Sequence, residues 1–347
     1  MTEPKLTVLI PTFNRPKLLE RAINSVTSQT YENIIIRVFD NGSDDETSSL
    51  MHSMCKTDQR IEYLRHKENI GAIGNFKILI DSVKTQYYLV ISDDDCLMPM
   101  HIERGVNSLS EYPEAELYMG ATITLDYINK TSLLRNQSWK DGFYNPSIEH
   151  TKKIISEHFT STGTIFRSSI KKHMAGFHQL GLDDIFCIIA TSSIPFYVCT
   201  KGSAVYTINQ LRGVEYPTSL YTFDEILISG ALDRKTVLEL APLEIRPLVL
   251  EYLDFKYEIL ITKKNIDFKK KFYKKKRISF VGKVFAASRW KFVCLRYLPY
   301  WPLHLVIRIR NTYKAFAIPM GMRGNQDNVD WESLERLQIS REKFMNS

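Results

Sequence analysis

The sequence predicts an α/β protein: a mostly parallel sheet flanked by helices, followed by a helical C-terminal region. Three observations predict it. Short β-branched runs alternate with helix-periodic segments through the first hundred residues, in the order β-α-β-α-β-α-β. The conspicuous polar residues fall where those strands end, and ligands of parallel sheets sit beyond the carboxyl ends of the strands. No glycine-rich loop follows the first strand, which argues against a dinucleotide-binding fingerprint.

The elements follow in order. Residues 5–13 (KLTVLIPTF) are apolar and β-branched, the pattern of a buried strand. Pro16 then opens a helix that runs to Gln29. Leu19, Ala22, Ile23 and Val26 recur at three- and four-residue spacing, with proline in the first turn. Residues 33–40 (NIIIRVFD) read as a second buried strand. Asn41-Gly42-Ser43 is a turn, and Ser43 or Asp44 is expected to cap the next helix. Residues 61–65 form a short strand, and Phe76, Leu79, Ile80 and Val83 share one helix face. Residues 87–92 (YYLVIS) form a strand that runs into Asp93-Asp94-Asp95. Further on, strands are expected at 116–124, 163–166, 196–198 and 205–208, and a helix starts at Asp183. Residues 236–261 look helical. A boundary near 212 divides a 1–211 domain, with halves of about 1–100 and 101–211, from a basic, aromatic region at 212–347.

Composition excludes several classes. With 347 residues, 44% of them hydrophobic, the chain can fill a sizeable core, so wholesale disorder is excluded. No uncharged apolar run reaches the roughly 18 residues of a spanning helix. The five cysteines (Cys55, Cys96, Cys187, Cys199, Cys294) are scattered without CxxC spacing, against a disulfide framework or zinc site. Residues 1–5 lack a signal pattern, so a reducing cytoplasmic location is expected. The net charge is +7, and residues 263–277 carry nine basic side chains against one acid. That run reads as a solvated helix face, or as a contact for an anionic membrane surface or nucleic acid. Nucleic acid is the weakest reading, because only Phe268, Phe272 and Tyr273 accompany the run and no recognition motif is present.

Three adjacent carboxylates repel one another, so Asp93-Asp94-Asp95 requires open solvent or a cation. An apolar strand before it and Leu97-Met98-Pro99 after it put the group at the rim of the core. Hard oxygen donors suit Mg²⁺ or Mn²⁺; a capped strand-end turn fits the residues equally well. Asp40, between a buried strand and the Asn41-Gly42-Ser43 turn, can accept hydrogen bonds from a base or ribose, although an ordinary turn explains it more simply.

Taken together and in order, four segments resemble the family 2 glycosyltransferases. They are Pro11-Thr12-Phe13-Asn14-Arg15; Asp40-Asn41-Gly42-Ser43-Asp44-Asp45-Glu46-Thr47; Asn69-Ile70-Gly71 with Asn75; and Ser92-Asp93-Asp94-Asp95 ending in Pro99. The resemblance covers roughly residues 5–210 and is nearest to bacterial transferases that build O-antigen or capsule chains. It implies the GT-A fold and a nucleotide-sugar donor held by the first half of the domain. Pro11, Thr12, Asn14, Arg15, Asn41, Asn75 and Asp93 then fall on the donor side, and Asp40 contacts the base. The Asp-x-Asp element of the family falls on Ser92-Asp93-Asp94, so a serine stands at its first position. Asp94 takes the position of the carboxylate that binds Mn²⁺ or Mg²⁺, with Asp95 as a supporting or second metal carboxylate. The resemblance implies a general base at the start of a helix about a dozen residues before an aromatic strand. Asp183 matches and Asp184 is the neighbouring candidate; from the residues alone, both read as helix-capping acids.

The expected activity is metal-dependent, inverting transfer of a sugar from a nucleotide sugar to a hydroxyl of a lipid-linked cell-surface glycan. Two other readings compete. A nucleotidyltransferase that makes the nucleotide sugar would want a glycine-rich basic loop after the first strand, which is absent. A non-catalytic membrane-surface protein on a degenerate transferase fold would bind no nucleoside diphosphate with metal. Residues 256–318 combine the basic run with many aromatic residues, which suggests peripheral attachment to the inner face of the cell membrane.

Overall fold

The computed structural model describes residues 3–127, 130–136, 138–157, 160–173, 183–208, 234–235, 237–253, 331–336 and 339. Its strands are β1 (Leu6–Thr12), β2 (Ile34–Asp40), β3 (Ile61–Arg65), β4 (Tyr87–Val90), β5 (Cys96–Leu97), β6 (Leu117–Asp126), β7 (Thr131–Leu134), β8 (Gly142–Tyr144), β9 (Ile165–Arg167) and β10 (Phe196–Ile208). The helices are α1 (Pro16–Thr27), α2 (Thr47–Thr57), α3 (Ala72–Asp81), α4 (His101–Glu111), α5 (Ile148–Glu157), α6 (Ile170–His173), α7 (Asp183–Ser193) and α8 (Trp331–Arg336).

The strands form one sheet in the order β3-β2-β1-β4-β9-β6-β10-β5, with β7 on β6 and β8 on β10. The first four are parallel, as the β-α alternation predicts: Leu6 lies opposite Ile34 on one side and Tyr87 on the other. Parallel strands are buried on both faces, and β1 shows it. Leu6, Val8 and Ile10 pack with Leu19, Ile23 and Val26 of α1, Met51 of α2, and Ile102, Val106 and Leu109 of α4. Leu9 faces the other way, toward Leu79, Ile154, Cys187, Ile188 and Ile189.

Beyond β4 the sheet is mixed. β9 is antiparallel to both β4 and β6, and β10 runs parallel to β6 but antiparallel to β5 and β8. The expected pair of short strands at 196–198 and 205–208 is instead one strand. Its register on β6 shifts between Cys199 and Gly202 and again between Gly202 and Ala204. Extra residues of this kind bend a strand, so β10 borders β8 through Phe196–Val198 and β5 through Ala204 and Val205. The expected cap at Ser43 or Asp44 is also corrected. Helix α2 begins at Thr47, whose N–H is accepted by the Asp45 carboxylate at 2.9 Å. Ser43 Oγ is already taken by the Asn14 N–H at 2.9 Å. The sequence reading does not anticipate β5, β7, β8, α4 or α5.

Parts of the C-terminal region share the core of the sheet. Residues 237–240 and 246–253 are helical, and Val237, Ala241, Ile245, Val249 and Leu253 bury beside α7. Leu334 of α8 and Ile339 pack with Cys96, Met98, Ile123, Leu125 and Val205. The boundary near 212, the basic run at 263–277 and the aromatic stretch after it lie outside the described residues. Among the described residues, no helix is long and apolar enough to cross a membrane.

Candidate active site

The carboxyl ends of β1, β2 and β4 bring most of the sequence-predicted residues together. Thr12, the last residue of β1, is in register with Asp40, the last residue of β2. Its hydroxyl donates to Asp93 Oδ2 at 2.7 Å. Arg15 stands immediately before α1 and donates from Nη1 to Asp93 Oδ1 at 3.0 Å and to Asp94 Oδ2 at 3.3 Å. Between them Asn14 adopts φ +55°, a left-handed conformation that asparagine tolerates better than most residues. This conformation goes with two bonds: Asn14 N–H to Ser43 Oγ, and Asp44 N–H to Asn14 Oδ1 at 3.0 Å. The turn after β1 is thus laced to the turn after β2. Pro11, one residue before Thr12, is paired with Phe39 in the β1–β2 register.

Asp40 is fully buried. Its Oδ1 accepts the Ser43 N–H at 2.8 Å, its Oδ2 accepts the Tyr63 hydroxyl at 2.6 Å, and Arg65 Nε lies 3.6 Å from Oδ2. Burial, with the bond to Asp40, pushes the Tyr63 phenol up to about 12. The Asp40 carboxylate therefore organises its own turn and is held by β3. Asn41 donates its backbone N–H to Thr12 O at 2.9 Å, and its amide bridges to Asn69 Oδ1 (2.8 Å) and the Ile70 N–H (2.9 Å). Asn75 donates to Phe39 O at 3.2 Å and meets His66 Nε2 at 3.0 Å. Gly42 sits between these contacts at φ +81°, where an added Cβ would lie 2.7 Å from the Glu68 carbonyl carbon.

The three consecutive aspartates occupy different environments. Asp93 is buried, and that burial pushes its carboxyl up to about 6; Arg15 and Thr12 oppose the shift and the Asp94 charge adds to it. Asp94 is the most open, with its side chain 16% exposed. Its carbonyl accepts Arg21 Nη2 at 2.6 Å and the Thr207 hydroxyl at 2.7 Å. Asp95 is fully buried. Its Oδ2 accepts the Thr162 hydroxyl at 2.6 Å and its Oδ1 the Thr207 N–H at 2.9 Å. Burial and the Asp94 charge push the Asp95 carboxyl well above the usual carboxylate range.

Among the described residues, no group of three His, Cys, Asp or Glu side chains forms a protein cage for a metal. The donor chemistry fits a different mode. Mg²⁺ and related hard cations bind through one or two carboxylates, waters and substrate phosphates, and Asp94 offers one such oxygen donor at the rim. Asp183 and Asp184 are the first two residues of α7, which is anchored by the buried Cys187, Ile188, Ile189 and Ala190. Their side chains lie outside the described residues.

Sequence reasoning missed Arg21, Tyr63, Arg65 and Thr207. For two of these a signal exists. In a strand, alternate residues share a face, so Ile61, Tyr63 and Arg65 are on one side of β3, and Arg65 is in register with Asp40. Arg21 carries no such signal, since it lies on α1 next to the buried Ala22 like any helix-surface residue.

Comparison with known proteins gives a consistent picture. Residues 7–174 match the model of the family described as Glycosyl transferase family 2. A Campylobacter jejuni protein, GalNAc(5)-diNAcBac-PP-undecaprenol beta-1,3-glucosyltransferase, is 38% identical over 96 residues, which is 27% of this chain and 31% of that protein. Glycosyltransferase GlyA of Streptococcus pneumoniae is 27% identical over 120 residues, 35% of this chain and 17% of that protein. The match thus spans less than a third of either relative. Among solved structures, TarS 1–349 of S. aureus in complex with UDP superposes with TM-score 0.57 at 14% identity, over 72% of this chain and 70% of that one. The mannosyltransferase PcManGT of Pyrobaculum calidifontis, in complex with GDP-Man and Mn²⁺, gives 0.51 at 14% identity over 97% and 87%. These likenesses show the fold, which is of the GT-A type.

Proposed function

We propose that this chain, whose residues 7–174 form a family 2 glycosyl transferase domain, moves a sugar from a nucleotide-sugar donor to a hydroxyl of a lipid-linked cell-surface glycan. One observation carries the reading: Thr12, Arg15, Asp93 and Asp94 converge through hydrogen bonds of 2.7–3.3 Å at the carboxyl ends of neighbouring parallel strands. Two named neighbours support it, since TarS was solved with UDP and PcManGT with GDP-Man and Mn²⁺. The C. jejuni relative, named for an undecaprenol diphosphate acceptor, supports a lipid-linked substrate.

In this reading the donor nucleotide lies over the ends of β1 and β2, against Thr12, Asn14, Asp40 and Asn41, with Asn75 bracing the floor. Asp94 would hold Mn²⁺ or Mg²⁺. When bound, such a cation offsets the negative charge that develops on the departing diphosphate. Arg15 holds Asp93 and Asp94 in place and adds a positive charge beside the phosphates. Asp183 removes the proton from the acceptor hydroxyl, whose oxygen bonds to the anomeric carbon as the bond to the nucleoside diphosphate breaks on the opposite face. Configuration is thereby inverted, and the base acts only as the transition state forms. Asp184 is the alternative base. The basic run at 263–277 holds the enzyme to the anionic membrane surface where the acceptor resides.

The test is a donor-hydrolysis and transfer screen over the common nucleotide sugars with Mn²⁺ and an undecaprenyl-diphosphate glycan. Turnover of one donor supports the reading. No turnover, together with no Mn²⁺-dependent thermal shift by any nucleoside diphosphate, sinks it in favour of a non-catalytic scaffold.

A further inference from the structure

Asp95 stands apart from its two neighbours. Asp93 and Asp94 share the Arg15 guanidinium at the rim. Asp95 is fully buried, and its two oxygens reach two segments far away in the chain: Thr162, in the turn before β9, and the backbone N–H of Thr207, near the end of β10. The same Thr207 also bonds the Asp94 carbonyl through its hydroxyl, and Arg21 of α1 bonds that carbonyl from another side. The peptide that carries Asp94 is therefore gripped by α1 and β10, and its C-terminal neighbour by β10 and the 162 turn. Residues 162 and 207 belong to the second half of the 1–211 stretch, far in sequence from the aspartates they hold.

We propose that Asp95 is a positioning residue and not a metal ligand: it fastens the aspartate loop to the Thr162 turn and to β10, and so fixes where the Asp94 carboxylate points. The inference rests on the transferase reading for its consequence in activity, but the strut itself is a matter of this chain alone. A carboxylate with both oxygens committed to protein donors has no place in the inner sphere of a cation without breaking those bonds. Partners that orient a metal ligand from behind matter nearly as much as the ligand, and losing one costs about 10–100-fold in metal affinity.

The conservative variant separates the two roles. In Asp95→Asn the amide oxygen still accepts the Thr207 N–H, and the amide nitrogen donates to Thr162 Oγ1, so the strut survives while the carboxylate is removed. We would measure Mn²⁺ affinity by electron paramagnetic resonance with UDP or GDP present, kcat and KM for the donor, and hydrogen exchange in segments 160–164 and 203–208. Asp95→Asn is expected to stay within about threefold of wild type in Mn²⁺ affinity. Asp95→Ala is expected to lose about 10–100-fold, to lower kcat, and to speed exchange in both segments. Thr162→Val, which removes one of the two bonds, falls between them. A loss in Asp95→Asn as large as in Asp94→Asn would make Asp95 a ligand and overturn the proposal. Failure of the wild-type protein to bind either nucleotide with Mn²⁺ would count against the transferase reading. Exchange alone then decides the strut, and unchanged exchange in Asp95→Ala overturns it.

Discussion

Thr12 donates its hydroxyl to Asp93 across 2.7 Å, although 81 residues separate them. Their strands are parallel neighbours in a register that pairs Leu6 with Tyr87 and Leu9 with Val90; β4 ends at Val90, and Asp93 follows in the turn beyond it. The bond thus ties the end of β1 to the turn after β4. It sets the turn after β1 against the aspartates, and Arg15 completes the link.

Asp94→Ala is expected to remove transfer while leaving the fold intact. The side chain sits at the rim, so its loss removes little packing. Steady-state turnover at saturating Mn²⁺ checks this, with circular dichroism as the control. Retention of more than about a tenth of wild-type turnover, a barrier change under about 1.4 kcal/mol, takes Asp94 out of the site.

Asp183→Asn is expected to keep donor affinity and lose kcat, because a base contributes only in the transition state. The comparison is with Asp184→Asn under the same conditions. If the second variant is dead and the first active, Asp184 is the base.

Gly42→Ala is expected to destabilise the protein by about 1–3 kcal/mol, the typical cost of a left-handed conformation in a residue with a side chain. The approach of 2.7 Å to the Glu68 carbonyl carbon adds to it, because the obstacle is backbone. Urea denaturation monitored by tryptophan fluorescence measures the change. Donor affinity should fall as well, since Asn41 and Ser43 flank the glycine. Wild-type stability would mean that the 66–71 loop yields freely.

His101 makes stability depend on acid pH. It is fully buried at the start of α4, its ring tilted 53° to that of Tyr118, with Gly120 and Gly163 against it. Among the described residues, neither ring nitrogen finds a well-aligned hydrogen-bond partner. Burial holds its pKa down to about 3; the Gly163 backbone opposes the shift and the Arg104 charge adds to it. The unfolded chain, with a histidine pKa of about 6.5, therefore binds more protons than the folded one between pH 6.5 and 3. Stability contributed by His101 is complete above pH 6.5 and falls as the pH drops through that window, by up to about 1.4 kcal/mol per pH unit. Asp93 and Asp95, whose raised values act in the opposite sense, leave a slope of their own. The informative quantity is thus the difference between wild type and His101→Phe across pH 7 to 4. Parallel curves would mean that the imidazole is protonated in the fold.

Replacing Lys269, Lys270, Lys271, Lys274, Lys275 and Lys276 with Glu is expected to abolish co-sedimentation with anionic vesicles at low salt. Each basic residue near such a surface contributes about 1 kcal/mol. Binding that survives the changes, or wild-type protein that ignores the vesicles, removes the membrane-surface role.

The parallel half of the fold was legible because each of its elements announces itself locally. The β-branched runs ending at Thr12 and Asp40, the 3–4 spacing of Leu19, Ile23 and Val26, and the residues 61–65 all stand where the periodicity puts them. That Thr12, Asp40 and Asp93 come together was legible for the same reason, since the ends of neighbouring strands lie together in any parallel sheet. The antiparallel half was less so. β5 is two residues long and exists only because Ala204 and Val205 pair with it, and no local pattern signals such a partner. Nor does composition distinguish three identical aspartates. Only the fold, by burying Asp95 beneath Thr162 and leaving Asp94 at the rim, makes them different.

The bent strand β10 has a consequence for the order in which the protein can be assembled. Its Ala204 and Val205 secure Leu97 and Cys96, directly after the aspartates. A ribosome translating from the N-terminus thus releases the aspartate loop roughly a hundred residues before the strand that pins it. The four parallel strands can pair while synthesis continues, and Thr12, Arg15 and Arg21 can already hold Asp93 and Asp94, but Asp95 lacks its bonds to Thr162 and Thr207 until residue 207 has emerged. A fragment that stops at the end of α7 would keep the parallel strands and still lack the Thr207 bonds that hold Asp94 and Asp95, so the centre is complete only when segments from both ends of the sheet are present.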